Sequence, residues 1–200
     1  MLGREFVDDL LDKRAKREAG RHRAEVLEAG RVAVLEAVCQ RPIDILINNA
    51  GKGATYDING AVDLANVDEC IALNLTTPIH LVTNLITMLK ARPAAMIVNV
   101  TSGLAIAPNK GSPVYCATKA ALRSYTMALR AQLAGSCVHV MEVLPPVVET
   151  RMTAAQTRKK MPVIDCAREI VVAIEADRAE ANIGMTKLLS FVHNLSPAIA

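Results

Sequence analysis

The stretch Ile43-Asp44-Ile45-Leu46-Ile47-Asn48-Asn49-Ala50-Gly51 decides the architecture of this chain. It is a short apolar run, interrupted only by Asp44, that stops abruptly in a polar turn ending in glycine. Such a run, too short for a helix and rich in β-branched residues, reads as a buried strand followed by a loop. The same form recurs twice downstream. Met96 to Val100 is apolar and is broken by Thr101-Ser102-Gly103, and Val138 to Leu144 is ended by Pro145-Pro146. Between these strands lie long segments of helical spacing, at about residues 67–91 and 114–134, the first followed by Pro93 and the second closed by Gly135. Short strands alternating with helices predict a parallel sheet with helices on both faces, and ligands in such sheets bind at the carboxyl ends of the strands. All three strand ends carry polar, glycine or proline residues, from Asn48 to Gly51, Thr101 to Gly103 and Pro145 to Thr150.

Outward from this core the pattern weakens. Helical spacing is visible at residues 5–17 through Phe6, Val7, Leu10 and Leu11, and at 31–39 through Val32, Leu35 and Val38, with 18–30 undecided. Residues 166–178 form another expected helix, and Lys187 to Leu195 a last short one. The chain has 200 residues, 52% of them apolar and only 2% aromatic, so its core is aliphatic. The scarcity of aromatics argues against single-stranded nucleic-acid binding, which uses stacking platforms. Net charge is +3 with mixed signs. The one basic run, Lys13 to Arg23, reads as a solvated face, with a phosphate or nucleic-acid patch as the alternative. The five cysteines share no metal-like spacing, and His22, His80, His139 and His193 are scattered, so no metal site is expected. The N-terminus lacks the apolar segment of a signal peptide, and no apolar run reaches the roughly 18 residues of a spanning helix. These features predict a cytoplasmic protein with reduced thiols and no membrane or nucleic-acid partner.

The chemistry lies in Tyr115 and Lys119, four apart and therefore on one helix face. A free phenol has a pKa near 10, and a neighbouring ammonium stabilises the phenolate. A tyrosine tuned in this way can give a proton to a carbonyl or take one from an alcohol. Taken alone, a tyrosine–lysine pair of this spacing is more often structural than catalytic. Context changes that: Ser102 ends the preceding strand, Asn74 lies in the helix before it, and Asn49-Ala50-Gly51 ends the strand before that. The segments Asn48 to Gly51, Leu73-Asn74-Leu75, Asn99-Val100-Thr101-Ser102 and Tyr115-Cys116-Ala117-Thr118-Lys119, in that order and spacing, resemble the short, single-domain branch of the short-chain dehydrogenase/reductase family. The resemblance is closest over residues 43–155.

The resemblance implies a Rossmann-like, doubly wound α/β fold and an oxidoreductase that interconverts a carbonyl and an alcohol with NADP or NAD. Tyr115 would be the general acid or base, and Lys119 would lower its pKa and hold the nicotinamide ribose. Ser102 would bond the substrate oxygen, and Asn74 would hold a water linking Lys119 to solvent. Asn49, Ala50 and Gly51 would line the adenosine side of the cofactor. Pro145, Val148 and Thr150 would form the turn against the nicotinamide, with Pro146 where the family usually has glycine. The family habit of pairing two helices into a four-helix bundle implies a homodimer through residues 67–91 and 114–134. A stripe of Ile71, Leu75, Ile79, Val82 and Ile86 and the small residues Ala117, Ala120, Ala121, Ala128 and Ala131 would supply its contacts.

The chain departs from the pattern before residue 43. A family member opens with a strand and a glycine-rich turn, and neither is visible; Gly3-Arg4-Glu5-Phe6-Val7 resembles the start of the helix that follows such a turn. The expected organisation is one incomplete domain: a degenerate part over 1–42, a catalytic core over 43–155 and a substrate-side segment over 156–200. Without the first strand, Ile43 to Ile47 would present an unpaired apolar edge. The alternative reading is a truncated, non-enzymatic relative that serves as an interaction module. Arg21 and Arg23 are the candidates for choosing NADP over NAD.

Overall fold

The computed structural model describes residues 25–54 and 56–195. Helix α1 runs over 25–40. It is followed by β1 (Ile45–Asn48), α2 (Leu64–Ile71), a π-helical segment (Ala72–Thr76), α3 (Thr77–Lys90) and β2 (Ala95–Val100). Then come α4 (Pro113–Gln132), β3 (Val138–Leu144), α5 (Val163–Glu175), β4 (Glu180–Asn182) and α6 (Thr186–Leu195). Among the described residues the strands form one sheet in the order β1-β2-β3-β4, parallel throughout, with Asn48 opposite Asn99 and Asn99 opposite Glu142.

The sheet is α/β in the predicted sense, because its central strands must be covered on both faces. Every residue of β2 is buried, and so is all of β3 except the half-buried His139. One face carries Leu46, Ile97 and Val140 against Val38 of α1, Val82, Leu85 and Leu89 of α3 and Leu129 of α4. The other carries Met96, Val98, Met141 and Val143 against Cys166 and Ala173 of α5. Strand β1 lies at the sheet edge and has only its first face covered. Leu46 is 7% exposed, whereas Ile45 and Ile47, on the α5 side, are 45% and 50% exposed. The apolar edge expected from the sequence is therefore present among the described residues.

Several boundaries moved. Helix α1 begins well before residue 31, and the strand expected at Ile43 starts at Ile45, three residues after Pro42, which cannot donate to a ladder. The long helix starts at Leu64 because Asp63 caps it, accepting from the Asn66 N–H. By length and composition the continuous stretch Leu64–Lys90 is apolar enough to cross a bilayer, although no unbroken apolar run of that length exists in it. Here its inner residues, Val82, Leu85 and Leu89, belong to the core. Strand β4 had no sequence signal, since Glu-Ala-Asn lacks β-forming residues and is an edge strand held by β3. The segments read at residues 5–17 and from Lys13 to Arg23 lie outside the described residues.

Helix α4 is attached to the sheet unusually. Its inner face carries Leu122 and Leu129, but it also carries Lys119, Arg123, Thr126 and Arg130, which recur at helical spacing. Lys119 donates to the Val100 carbonyl at 2.7 Å, and Arg130 to that of Val140 at 2.8 Å. Thr126 accepts from Asn99 at 2.9 Å, and Asn99 accepts from Asn48 at 2.8 Å. Arg123 donates to Glu142 at 2.6 Å and lies 3.0 Å from Glu180. Glu142 is fully buried in β3. Removing one partner of a buried ion pair strands the other charge in a medium that solvates it poorly. Arg123→Met should therefore cost about 3–5 kcal/mol of stability in urea unfolding. A loss below about 1 kcal/mol would show that Glu142 is satisfied without its guanidinium partner.

Candidate active site

Four pieces of chain meet at the carboxyl end of the sheet: the loop after β1, the end of β2, the first turns of α4 and the π segment between α2 and α3. Strand β2 ends at Val100, and Thr101 and Ser102 continue from it. The Thr101 N–H reaches the Val143 carbonyl at 2.8 Å, and the Gly103 N–H reaches that of Pro145 at 3.0 Å, so the end of β2 is tied to the end of β3. Ser102 caps the short 3-10 turn Gly103–Ala105, its hydroxyl accepting from the Leu104 N–H at 3.1 Å. The same side chain lies near the Tyr115 phenol and favours its ionised form.

Lys119 is 4% exposed, and burial pushes its pKa down to about 8. Its amine bonds the Val100 carbonyl and stands 5.8 Å from the centre of the Tyr115 ring. The sequence reading expected this ammonium to lower the tyrosine pKa. In the chain by itself the phenol is shifted upward instead: burial raises it, and the neighbouring Ser102 hydroxyl pulls the other way without prevailing. The physical reason is burial of the phenol itself, which disfavours its charged form, while the Lys119 amine is directed at a strand carbonyl.

Asn74 is fully buried in the π segment. Its carboxamide holds both backbone groups of Lys52, accepting from the N–H at 2.8 Å and donating to the carbonyl at 2.9 Å. It also donates toward Cys70 at 3.3 Å and Thr118 at 3.2 Å. This carboxamide thus fixes the loop that follows β1. Gly51 sits inside the same knot, where an added Cβ would lie 3.3 Å from Asn74 Oδ1 and 3.6 Å from Lys119 Nζ. Lys52 in turn pairs with Glu69 at 2.5 Å.

The segment after β3 faces this loop. Val148 forms a parallel bridge with Met161, and Thr150 caps the turn Arg151–Thr153, its hydroxyl 3.3 Å from that of Thr153. Met152 lies across the cleft, its Sδ 3.8 Å from where a Cβ of Gly53 would be. Asn49 and Ala50 are exposed at the mouth. The structure therefore gathers Asn74, Ser102, Tyr115, Lys119 and Gly51 into one cluster, with Pro145, Val148 and Thr150 on the neighbouring wall. Arg21 and Arg23 lie outside the described residues. Sequence reasoning missed Lys52, Cys70, Thr118, Thr101, Arg123 and Glu142. A lone glutamate inside the apolar strand Val138–Leu144 was a readable signal, as was Cys70 one helical turn before Asn74.

A model of the short chain dehydrogenase family matches residues 22–161. The uncharacterized oxidoreductase DltE of Bacillus subtilis is 41% identical over 119 residues, covering 59% of this chain and 47% of that protein. The ketoacyl reductase HetN of Nostoc is 31% identical over 176 residues, covering 78% of this chain and 59% of that protein. The chain thus spans about half the length of the curated relatives it matches. Among solved structures, a short chain dehydrogenase from Burkholderia cenocepacia in complex with NADP superposes with a TM-score of 0.78 at 25% identity, covering 84% of this chain and 74% of that one. The parallel sheet, the cluster at its carboxyl edge and the match over most of the sequence agree, and the chain belongs to the short-chain dehydrogenase/reductase family.

Proposed function

We propose that this chain interconverts a carbonyl and an alcohol with a nicotinamide dinucleotide, NADP or NAD, and that Tyr115 moves the proton. One observation carries the reading: the Tyr115 phenol lies close enough to Ser102 to feel its hydroxyl, while a nearly buried amine, Lys119, stands 5.8 Å from the centre of its ring. The residues present fit the cofactor. Gly51 leaves open a space that a Cβ would fill, and exposed Asn49 and Ala50 border it. Asn49, Ala50 and Gly51 would hold the adenosine side, Lys119 the ribose, and Pro145, Val148 and Thr150 the nicotinamide end. When bound, the dinucleotide supplies or accepts the hydride, which no side chain can do. The NADP-bound Burkholderia protein supports this choice by analogy of fold and partial sequence.

The rest belongs to the chain's own groups. Ser102 donates to the substrate oxygen and steadies the charge that develops there. Tyr115, whose burial shifts the phenol further toward its protonated form, gives its proton to that oxygen during reduction. Alcohol oxidation needs the phenolate, so that direction gains from alkaline pH. Lys119 holds the end of β2 through Val100 and would hold the ribose of a bound cofactor. Asn74 keeps the Asn49–Lys52 loop in place, and we assign the proton path to solvent to this same neighbourhood. Five free thiols fit a reducing, cytoplasmic setting.

We also propose a homodimer, with a revised surface. The stripe expected to serve it is divided, because Val82 is 2% exposed in the core and Ile86 packs against that core. Ala117, Ala120, Ala128 and Ala131 of α4 are exposed together with Met127, and Ile71 of α2 is 39% exposed. A face of small side chains lets a second copy approach closely around a two-fold axis.

Three outcomes are expected. Tyr115→Phe removes only the phenolic hydroxyl and should lower carbonyl reduction by about 10²-fold or more with the circular dichroism spectrum unchanged; turnover within about tenfold of the parent would refute the assignment. Lys119→Met should be more stable than the parent at pH 7. The folded amine loses its proton near pH 8, whereas the unfolded one keeps it to about 10.5, so the penalty on the parent is complete below pH 8 and is relieved above it. The stability gap should therefore shrink by about 1.4 kcal/mol per pH unit between pH 8 and 9.5, measured by urea titration. Sedimentation equilibrium should find a dimer at tens of micromolar, and a monomer there would exclude the α4 face.

A further inference from the structure

Beneath the Tyr115–Ser102 pair lies a second polar cluster that the proposed reaction does not use. Glu142 is fully buried in β3, opposite Asn99 on one side and Glu180 on the other. One of its oxygens accepts from the Thr101 hydroxyl at 2.6 Å, and the other from Arg123 at 2.6 Å. Arg123 also reaches Glu180, and Glu180 accepts from Asn182 at 2.9 Å. Thr101 is 2% exposed and adjoins Ser102. Arg123 lies on the same face of α4 as Lys119, two turns beyond Tyr115.

We propose that Glu142 is a positioning residue that sets the distance between Ser102 and Tyr115, holding the strand end through Thr101 and the helix through Arg123. A carboxylate suits this because it accepts on two separate oxygens, so one rigid side chain fixes both elements at once. Asn99–Thr126 and Lys119–Val100 O also join α4 to β2, but each is a single bond to the strand itself, before Thr101 and Ser102. Both bonds of Glu142 are short and both are shielded from water, where hydrogen bonds to a charged group are strongest. The α5 face of the sheet is apolar by comparison, so the network is confined to the side on which Tyr115 and Ser102 meet. The inference rests on reading Tyr115 and Ser102 as the reacting pair, but its test does not use turnover.

The protein has only three tyrosines, so labelling with tyrosine carrying carbon-13 at Cζ gives a three-line spectrum in which Tyr115→Phe assigns one line and leaves Tyr56 and Tyr125. That line reports the hydrogen bonding of the phenol at neutral pH. Glu142→Gln leaves one acceptor oxygen where two are needed, while Arg123 keeps Glu180 as a partner. Thr101→Val removes the hydroxyl and preserves the shape. Both variants should move the Tyr115 line in the same direction by more than its width and leave Tyr125 in place. Asp44→Asn breaks the Arg92 ion pair at the opposite end of the sheet and should move neither line. A Tyr115 line unmoved in folded Glu142→Gln would overturn the proposal, even if the melting temperature fell. Should that variant fail to fold, an unmoved line in Thr101→Val decides against it equally. A displaced line in a protein that reduces no carbonyl would uphold the positioning role and count against the enzymatic reading alone.

Discussion

The fold and the site both rest on how α4 is bound to the carboxyl half of the sheet. Most of the described helices dock through aliphatic contact, which tolerates sliding because the attraction has no direction. Helix α4 adds four polar attachments along its inner face, at Lys119, Arg123, Thr126 and Arg130, each ending on a strand carbonyl or a buried strand side chain. Directional bonds of this kind, enclosed where water cannot replace them, fix the helix in translation and in rotation. Tyr115 lies at the start of that helix, so its phenol takes its place from bonds made one to four turns away. The cost is also visible. An amine and a carboxylate are held in the interior, and both Lys119 and Glu142 are shifted by burial toward their neutral forms.

The loop after β1 is governed by a different device. A π segment interrupts the helical stretch that begins at Leu64, and Asn74 sits within it. Such a bulge changes which residues face inward without ending the helix. Here it delivers a carboxamide to the backbone of Lys52, where it completes two hydrogen bonds that a strand partner would otherwise make. Gly51 is part of the same arrangement, since its missing side chain leaves the space between Asn74 and Lys119 open. The loop that borders the cleft is thus set from below, and its outer residues Asn49 and Ala50 remain accessible.

Strand β1 shows the opposite condition. Its neighbour on one side is β2, and its α5-side residues Ile45 and Ile47 are half exposed. Leu46, one residue away on the other face, is buried under α1 and α3. The alternation of a half-covered strand is therefore imposed on a sequence that reads as continuously apolar, as a strand covered on both faces would.

Much of this was legible in the amino-acid sequence. Runs such as 96–100 and 138–144 are too short and too β-branched to be helices, and the proline or glycine after each fixes where it ends. The pairing of Tyr115 with Lys119 was legible as well, because four residues on a helix always share a face. What the sequence could not show is any relation that depends on which strands are neighbours. Strand β4 exists because β3 offers it hydrogen bonds, not because Glu180, Ala181 and Asn182 favour extension. Glu142 becomes a link between Thr101 and Arg123 only when β2 and α4 are brought against β3 from 41 and 19 residues away. Where the Lys119 amine points was likewise not legible, because its partner is the Val100 carbonyl of a strand laid beside it, and the upward shift of Tyr115 comes from burial. Local periodicity determines the elements and the face each residue occupies; burial and the partners of a charged group are properties of the assembled interior, where the dielectric is low and every polar atom must find a neighbour.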